Sequence, residues 1–87
     1  MYQVYIIYST SKDRYYIGST SVGIETRLKR HNEGWTRSTK NGVPWELKFV
    51  HSYPTKSEAL VRERFIKNQK NRAFIETLIG SPENNLD

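Results

Sequence analysis

Five residues of this 87-residue chain carry side chains suited to proton transfer, anion binding or metal binding: Tyr5, Tyr16, Arg27, His31 and Glu63. Phenol and imidazole groups transfer protons, a guanidinium binds anions, and a carboxylate binds divalent cations. Each of these residues, taken singly, also has an ordinary structural interpretation. Their chemical meaning therefore depends on the elements that position them.

The two tyrosines lie in a segment that reads as a β-hairpin. Residues 2–9 (YQVYIIYS) are rich in β-branched and aromatic residues on both faces, which favours a central strand, and residues 14–19 (RYYIGS) follow after a short turn. A loop of two or four residues would place Tyr5 and Tyr16 on one face, with Gly18 beside or opposite Tyr5. A glycine inside a strand marks a bulge or a close approach. The alternative is that both phenols simply pack on a helix with their hydroxyls in water.

Arg27 and His31 belong to a predicted helix over residues 23–33 that ends before Gly34. Residues four apart lie on the same helix face, so the guanidinium and the imidazole share an edge beside Leu28. The alternative is that Arg27 and His31 are ordinary exposed residues of the helix surface. With two histidines in the chain, a histidine-based zinc site has little support.

Glu63 falls within the apolar face of a second predicted helix. Over residues 55–69 that face is formed by Ala59, Leu60 and Ile66. A charge on a core-facing stripe costs several kcal/mol unless it is paired or binds a metal. The alternatives to a metal are a salt bridge to Arg27, Arg62 or Lys67, or a position of the carboxylate at the rim of a narrower apolar stripe.

The remaining pattern completes a small α+β fold. Residues 45–53 (WELKFVHSY) alternate as a third strand with Trp45 and Phe49 on one side, and Asn71 can cap a last helix that ends near Ile79. The order ββαβαα predicts a three-stranded antiparallel sheet flanked by helices.

Composition limits the class of protein. The length fits one domain, predicted over residues 1–79, followed by a polar and disordered tail over 80–87. The net charge of +5 favours a polyanionic partner such as nucleic acid. The chain has no cysteine, and its amino terminus shows neither a basic leader nor an apolar run of the ~20 residues that span a bilayer. These features predict a cytoplasmic protein without a membrane segment.

Together the motifs resemble those of the small, single-domain members of the GIY-YIG nuclease superfamily, over residues 2 to about 79. The first motif departs from the family pattern, because Gln3 and Val4 stand where Gly and Ile are usual, but Tyr5 is retained. The stretches that carry the resemblance occur in the family's order: VYII, YYIGST, RLKRHN, SEAL and ERFIK.

The resemblance implies a fold and a chemistry. It implies that Tyr5 or Tyr16 deprotonates or orients the attacking water, that Arg27 holds the scissile phosphate, and that Glu63 binds one divalent metal ion. A phenol with an unperturbed pKa near ~10 is a poor base at neutral pH, so His31 could share the role of base. The single carboxylate suits Mg²⁺, with Mn²⁺ as the alternative. Hydrolysis of a phosphodiester needs an aligned nucleophile, positive charge at the phosphate and a Lewis acid, and these groups would supply all three.

Flanking residues are candidates for nucleic-acid contact. Lysine and arginine side chains could track phosphates, Trp35 could stack on an unpaired base, and Gly18 could allow a close approach of the backbone. The alternative is a solvated basic surface and a tryptophan that closes the core. The candidates are Gly18, Lys29, Arg30, Trp35, Arg37, Lys40 and Lys67.

The expected function is a metal-dependent endonuclease that hydrolyses DNA in repair or recombination. Two alternatives stay open at the level of sequence. One is a nucleic-acid-binding module that has kept the fold without useful turnover, and the other is a nuclease directed at RNA.

Overall fold

The sheet forms around the first strand of the chain. The computed structural model describes residues 1–86, and the order ββαβαα and the α+β class are confirmed. The strands are antiparallel in the spatial order β2-β1-β3, with bounds β1 (Tyr2–Ser9), β2 (Arg14–Thr20) and β3 (Trp45–Tyr53). Val4 to Ile7 are completely buried, because β1 has a strand on each edge and helices on both faces.

Three helices cover the sheet, with bounds α1 (Ile24–Asn32), α2 (Lys56–Gln69) and α3 (Arg72–Ile79). Side-chain caps begin the last two as predicted, since Thr55 Oγ1 accepts from the Glu58 amide at 3.2 Å and Asn71 caps α3. The N-terminus of α1 is capped by a side chain of β1, because Gln3 Oε1 accepts a hydrogen bond from the Ile24 amide at 2.8 Å. None of the helices within residues 1–86 is long and apolar enough to cross a membrane.

Apolar side chains form two cores, one on each face of the sheet. The α1 face holds Tyr5, Ile7 and Trp45, with Ile24 and Leu28 packed against them. The opposite face is covered by α2 and α3, and its buried residues are Val4, Ile6, Phe49, Ala59, Ile66 and Leu78.

A bulge in β3 divides that strand between the two cores. Ile6 pairs with Phe49 but Ile7 pairs with Leu47, so Lys48 is an extra residue. Trp45 and Leu47 consequently face α1, whereas Phe49 faces α2. The prediction that Trp45 and Phe49 share one side is wrong, because one inserted residue reverses the alternation of a strand.

The segment after α3 differs from the predicted disordered tail. It runs along the free edge of β3, where Asn85 N donates to Val50 O at 2.7 Å. The Asn84 side chain donates to Lys48 O at 2.9 Å and to Ile79 O at 2.8 Å, and accepts from Val50 N at 3.2 Å. Unpaired backbone groups of an edge strand need partners, and the amide-rich segment provides them. Asp87, the last residue of the predicted tail, lies outside the described residues.

Replacing Asn84 by alanine should therefore destabilise the protein. The change leaves backbone groups of β3 and α3 without partners, and we expect a loss of ~1–3 kcal/mol in the free energy of unfolding. Asn85→Ala is the matched control, because its exposed side chain accepts one bond, from Ser52 N. Urea denaturation of both variants checks this, and equal, small effects would show that the segment does not stabilise the fold.

Candidate active site

Tyr5 lies at the centre of the sheet and projects toward α1. Its side chain is completely buried and stands opposite Gly18 on the neighbouring strand. A Cβ atom added at Gly18 would lie 2.5 Å from Tyr5 Oη and 2.7 Å from Tyr5 Cζ. Gly18 is thus required by the phenol of Tyr5, and it is a buried residue under that ring.

The hairpin and α1 bring four of the five predicted catalytic residues together. The hairpin loop has four residues, because Ser9 pairs with Arg14, and this places Tyr5 and Tyr16 on the same face. From α1, His31 Nε2 lies 2.7 Å from Tyr5 Oη, and Arg27 Nε donates to the same oxygen at 3.3 Å.

Tyr16 has a different environment from Tyr5. Its ring meets the His31 ring edge to face at 5.2 Å between centroids, and it meets Trp45 at 6.3 Å. Its hydroxyl has no hydrogen-bond partner among residues 1–86, whereas the Tyr5 hydroxyl contacts both α1 side chains. Tyr16 is partly exposed and is the more accessible phenol, and Tyr5 is the one hydrogen-bonded to the imidazole.

The electrostatics of the pair favour a neutral imidazole beside a protonated phenol. Burial, and secondarily the charge of Arg27, lower the pKa of His31 from 6.5 to about 4. Burial raises the pKa of Tyr5, although the hydrogen bond and charge of Arg27 act in the opposite direction. At neutral pH, His31 is therefore neutral and has one ring nitrogen able to accept a hydrogen bond.

Glu63 approaches the same strand from the other face of the sheet. Ser19 Oγ, adjacent to Gly18 in β2, donates to Glu63 Oε1 at 2.6 Å, and Lys67 Nζ lies 2.7 Å from Oε2. The salt bridge to Lys67 is one of the predicted alternatives. The apolar face of α2 is narrower than predicted, since Leu60 is 39% exposed. Glu63 lies at the rim of this face, and its side chain is 15% exposed. The Glu63 charge still reaches Tyr5, where it raises the pKa of the phenol.

The residues around Glu63 fit one kind of metal. No group of three His, Cys, Asp or Glu side chains able to hold an ion occurs in the part of the chain that the structure describes. This donor set does not suit zinc, which takes three or four protein ligands. A single carboxylate suits Mg²⁺, which keeps most of its waters, and the present partner of Glu63 is Lys67, whose side chain is half-exposed.

The predicted nucleic-acid contacts lie mainly on and after α1. Arg30 stacks over the Trp35 ring at 4.8 Å, and Trp35 is 66% exposed, so it does not close the core. Lys67, on α2, forms the salt bridge with Glu63. The other basic candidates are exposed, namely Lys29, Arg37 and Lys40.

Two polar residues of the site are not predicted from the sequence. Thr39 is completely buried, and its Oγ1 lies 2.8 Å from His31 Nδ1. Ser19 contacts Glu63 from β2. Both are small hydroxyl residues in or beside loops, and nothing in their spacing from His31 or Glu63 distinguishes them from ordinary polar residues.

Comparison with known proteins agrees with this geometry. Residues 1–76 match the GIY-YIG catalytic domain family. The chain is 38% identical over 79 residues to a UPF0213 protein of Halobacterium salinarum, and the match covers 90% of this chain and 99% of that protein. No solved structure matches the chain. The chain therefore belongs to the GIY-YIG family, a nuclease-related family, which confirms the resemblance carried by its motifs.

The buried imidazole should make stability fall in acid. The pKa of His31 is lower in the folded state, so below pH 6.5 the unfolded state binds the extra proton first. Above pH 6.5, His31 is neutral in both states and costs the folded protein no stability. As the pH falls from 6.5 toward 4, the free energy of unfolding decreases by up to ~1.4 kcal/mol per pH unit.

Urea unfolding of wild type and His31→Gln at about pH 7, 6 and 5 measures the effect. The variant should lose stability less steeply with falling pH, whatever its stability at neutral pH. His51→Gln is the matched control and should keep the steep dependence. The same slope for wild type and His31→Gln would contradict the assignment.

Proposed function

We propose that this protein is a divalent-metal-dependent endonuclease that hydrolyses phosphodiester bonds of DNA. The observation that supports this most directly is the hydrogen-bonded chain from Arg27 through Tyr5 to His31. It places an anion-binding group, a hydroxyl and a proton acceptor in contact beside a basic surface. Family membership supports the nuclease class, and the choice of DNA, the metal and the reaction are our proposal.

The side chains have distinct roles in this reaction. Tyr5 Oη is buried in the substrate-free protein, so the attacking water would enter beside the partly exposed Arg27. Oη then accepts a proton from that water while its own proton passes to His31 Nε2, so the relay conserves protons. Arg27 makes no ion pair with any described residue, and its remaining N–H groups are free to hold a phosphate oxygen. Fixed donors at the place where charge develops stabilise the transition state more than the substrate.

Glu63 is the proposed ligand of one Mg²⁺ or Mn²⁺ ion. When bound, the ion supplies a Lewis acid for the phosphate and lowers the pKa of a coordinated water. Ser19 keeps the carboxylate oriented by donating to Oε1, and release of Lys67 leaves Oε2 available. The exposed Lys29, together with Arg30, Trp35, Arg37 and Lys40, forms the proposed DNA surface.

A nucleic-acid-binding module without turnover is the second candidate. This candidate is favoured because both carboxylate oxygens of Glu63 already have protein partners, Ser19 on one and Lys67 on the other. For the nuclease we propose a cytoplasmic location, compatible with the absence of cysteine, and a role in DNA repair or recombination. The same relay could act on RNA, so the substrate panel should contain duplex, branched and single-stranded DNA together with RNA.

Removal of the Tyr5 hydroxyl should stop proton transfer without changing the ring. For Tyr5→Phe we expect single-turnover cleavage to fall ~10²- to 10⁴-fold, with DNA affinity retained. Tyr16→Phe should lose less, because its hydroxyl has no link to a proton acceptor. Tyr8→Phe, on the far side of the hairpin, should cleave as wild type. Wild-type rates for Tyr5→Phe would exclude Tyr5 as the base.

Glu63→Gln separates metal binding from structural pairing. The amide can still accept from Ser19, and loss of an i,i+4 ion pair costs ~0.3–0.5 kcal/mol, so the metal-free Tm should change little. Cleavage and the rise in Tm on adding Mg²⁺ or Mn²⁺ should both disappear. The matched control is Glu76→Gln, which breaks the i,i+4 pair with Arg72 on α3.

The outcomes distinguish the two candidate functions. A Glu63→Gln variant that cleaves at the wild-type rate, or that is still stabilised by Mg²⁺, would contradict the metal assignment. Wild-type protein that binds DNA but cleaves no member of the substrate panel with either metal would favour the binding module.

A further inference from the structure

Thr39 closes the hydrogen-bonded chain behind His31. It lies in the loop between α1 and β3, and its hydroxyl has two polar neighbours. Oγ1 is 2.8 Å from His31 Nδ1, and it donates to Thr36 O at 3.2 Å. A hydroxyl has one proton, and a carbonyl oxygen can only accept. Thr36 O can therefore take the Thr39 proton, which leaves Thr39 Oγ1 able to accept from His31.

This arrangement determines where the imidazole proton sits. With Thr39 Oγ1 as the acceptor, His31 Nδ1 carries the hydrogen, and a neutral ring then leaves Nε2 unprotonated. Tyr5 Oη, 2.7 Å from Nε2, must donate to it. In the other tautomer, Nε2 would itself donate and the buried Tyr5 proton would have no acceptor, because Arg27 only donates to Tyr5 Oη, and such a loss is costly.

The loop holds Thr39 in place through its backbone. Trp45 Nε1 donates to Thr39 O at 2.7 Å, and Gly42 N donates to the same oxygen at 3.0 Å. Gly42 is tightly enclosed, since a Cβ there would lie 2.5 Å from Trp45 Cζ2. The hydroxyl is thus supported by the indole and by the single turn of 3₁₀ helix over Lys40–Gly42.

We propose that Thr39 is a positioning residue that fixes His31 in the Nδ1–H tautomer, so that Nε2 is available to take the proton of Tyr5. The tautomer follows from the hydrogen bonds alone. Its consequence for cleavage rests on the proposed nuclease function. Thr39 contacts neither DNA nor metal in this proposal, and it acts only through His31.

Nitrogen-15 chemical shifts of the imidazole test the proposal directly. In wild-type protein near pH 7, His31 should show a protonated Nδ1 and an unprotonated Nε2. Thr39→Val keeps the shape and removes the acceptor, so the Nδ1–H population should fall, and Thr39→Ser should restore it. Thr36→Val is the matched control in the same loop and should keep the wild-type tautomer, because Thr36 contributes its carbonyl group.

Single-turnover cleavage provides the second measurement. Thr39→Val should cleave ~10- to 100-fold more slowly with unchanged DNA affinity, as when a group that orients a histidine is removed. Thr39→Ser should recover most of the rate.

A wild-type Nε2–H tautomer, or an unchanged Nδ1–H tautomer in folded Thr39→Val, would overturn the proposal. The wild-type spectrum decides even if Thr39→Val does not fold. A tautomer that changes as expected in a protein that cleaves no nucleic acid would support the positioning role and remove only the nuclease function.

Discussion

The hydrogen bond between the Tyr5 phenol and the His31 imidazole joins the central strand to α1, and both side chains are completely buried. Buried polar groups need partners, so each atom of this pair constrains the elements around it. The phenol requires a glycine at position 18, and the imidazole requires an acceptor from the loop after α1, which Thr39 provides. The site is therefore part of the core and not an addition to its surface.

This constraint explains the arrangement of the two cores. The α1 face contains Tyr5, Trp45 and the buried imidazole, whereas the α2 face is almost wholly apolar. The bulge at Lys48 moves Trp45 to the α1 face, where its indole supports the loop that holds Thr39. A single inserted residue in β3 thus connects the sheet register to the orientation of His31.

The charged groups of the site are also divided between the two faces of the sheet. Burial and Arg27 keep His31 neutral by lowering its pKa to about 4, while Arg27 itself retains donors for an anion. Glu63 reaches the free edge of β2 from the opposite face, beside Ser19. The Tyr5–His31 pair and the Glu63 carboxylate therefore lie on opposite faces of the sheet beside the same edge strand.

Local pattern and residue type determined much of this protein from the sequence alone. Alternating apolar residues, the Thr55 and Asn71 caps and Gly34 sufficed for the order ββαβαα, because these signals act within a few residues of the chain. The motifs around Tyr5, Arg27, His31 and Glu63 also determined the family. Only the tertiary structure decided which phenol meets the imidazole, that Thr39 supports it, that Lys67 pairs with Glu63, and that Asn84 binds the edge of β3. Those contacts depend on strand register, on a one-residue bulge and on the burial of groups distant in sequence, which no local pattern records.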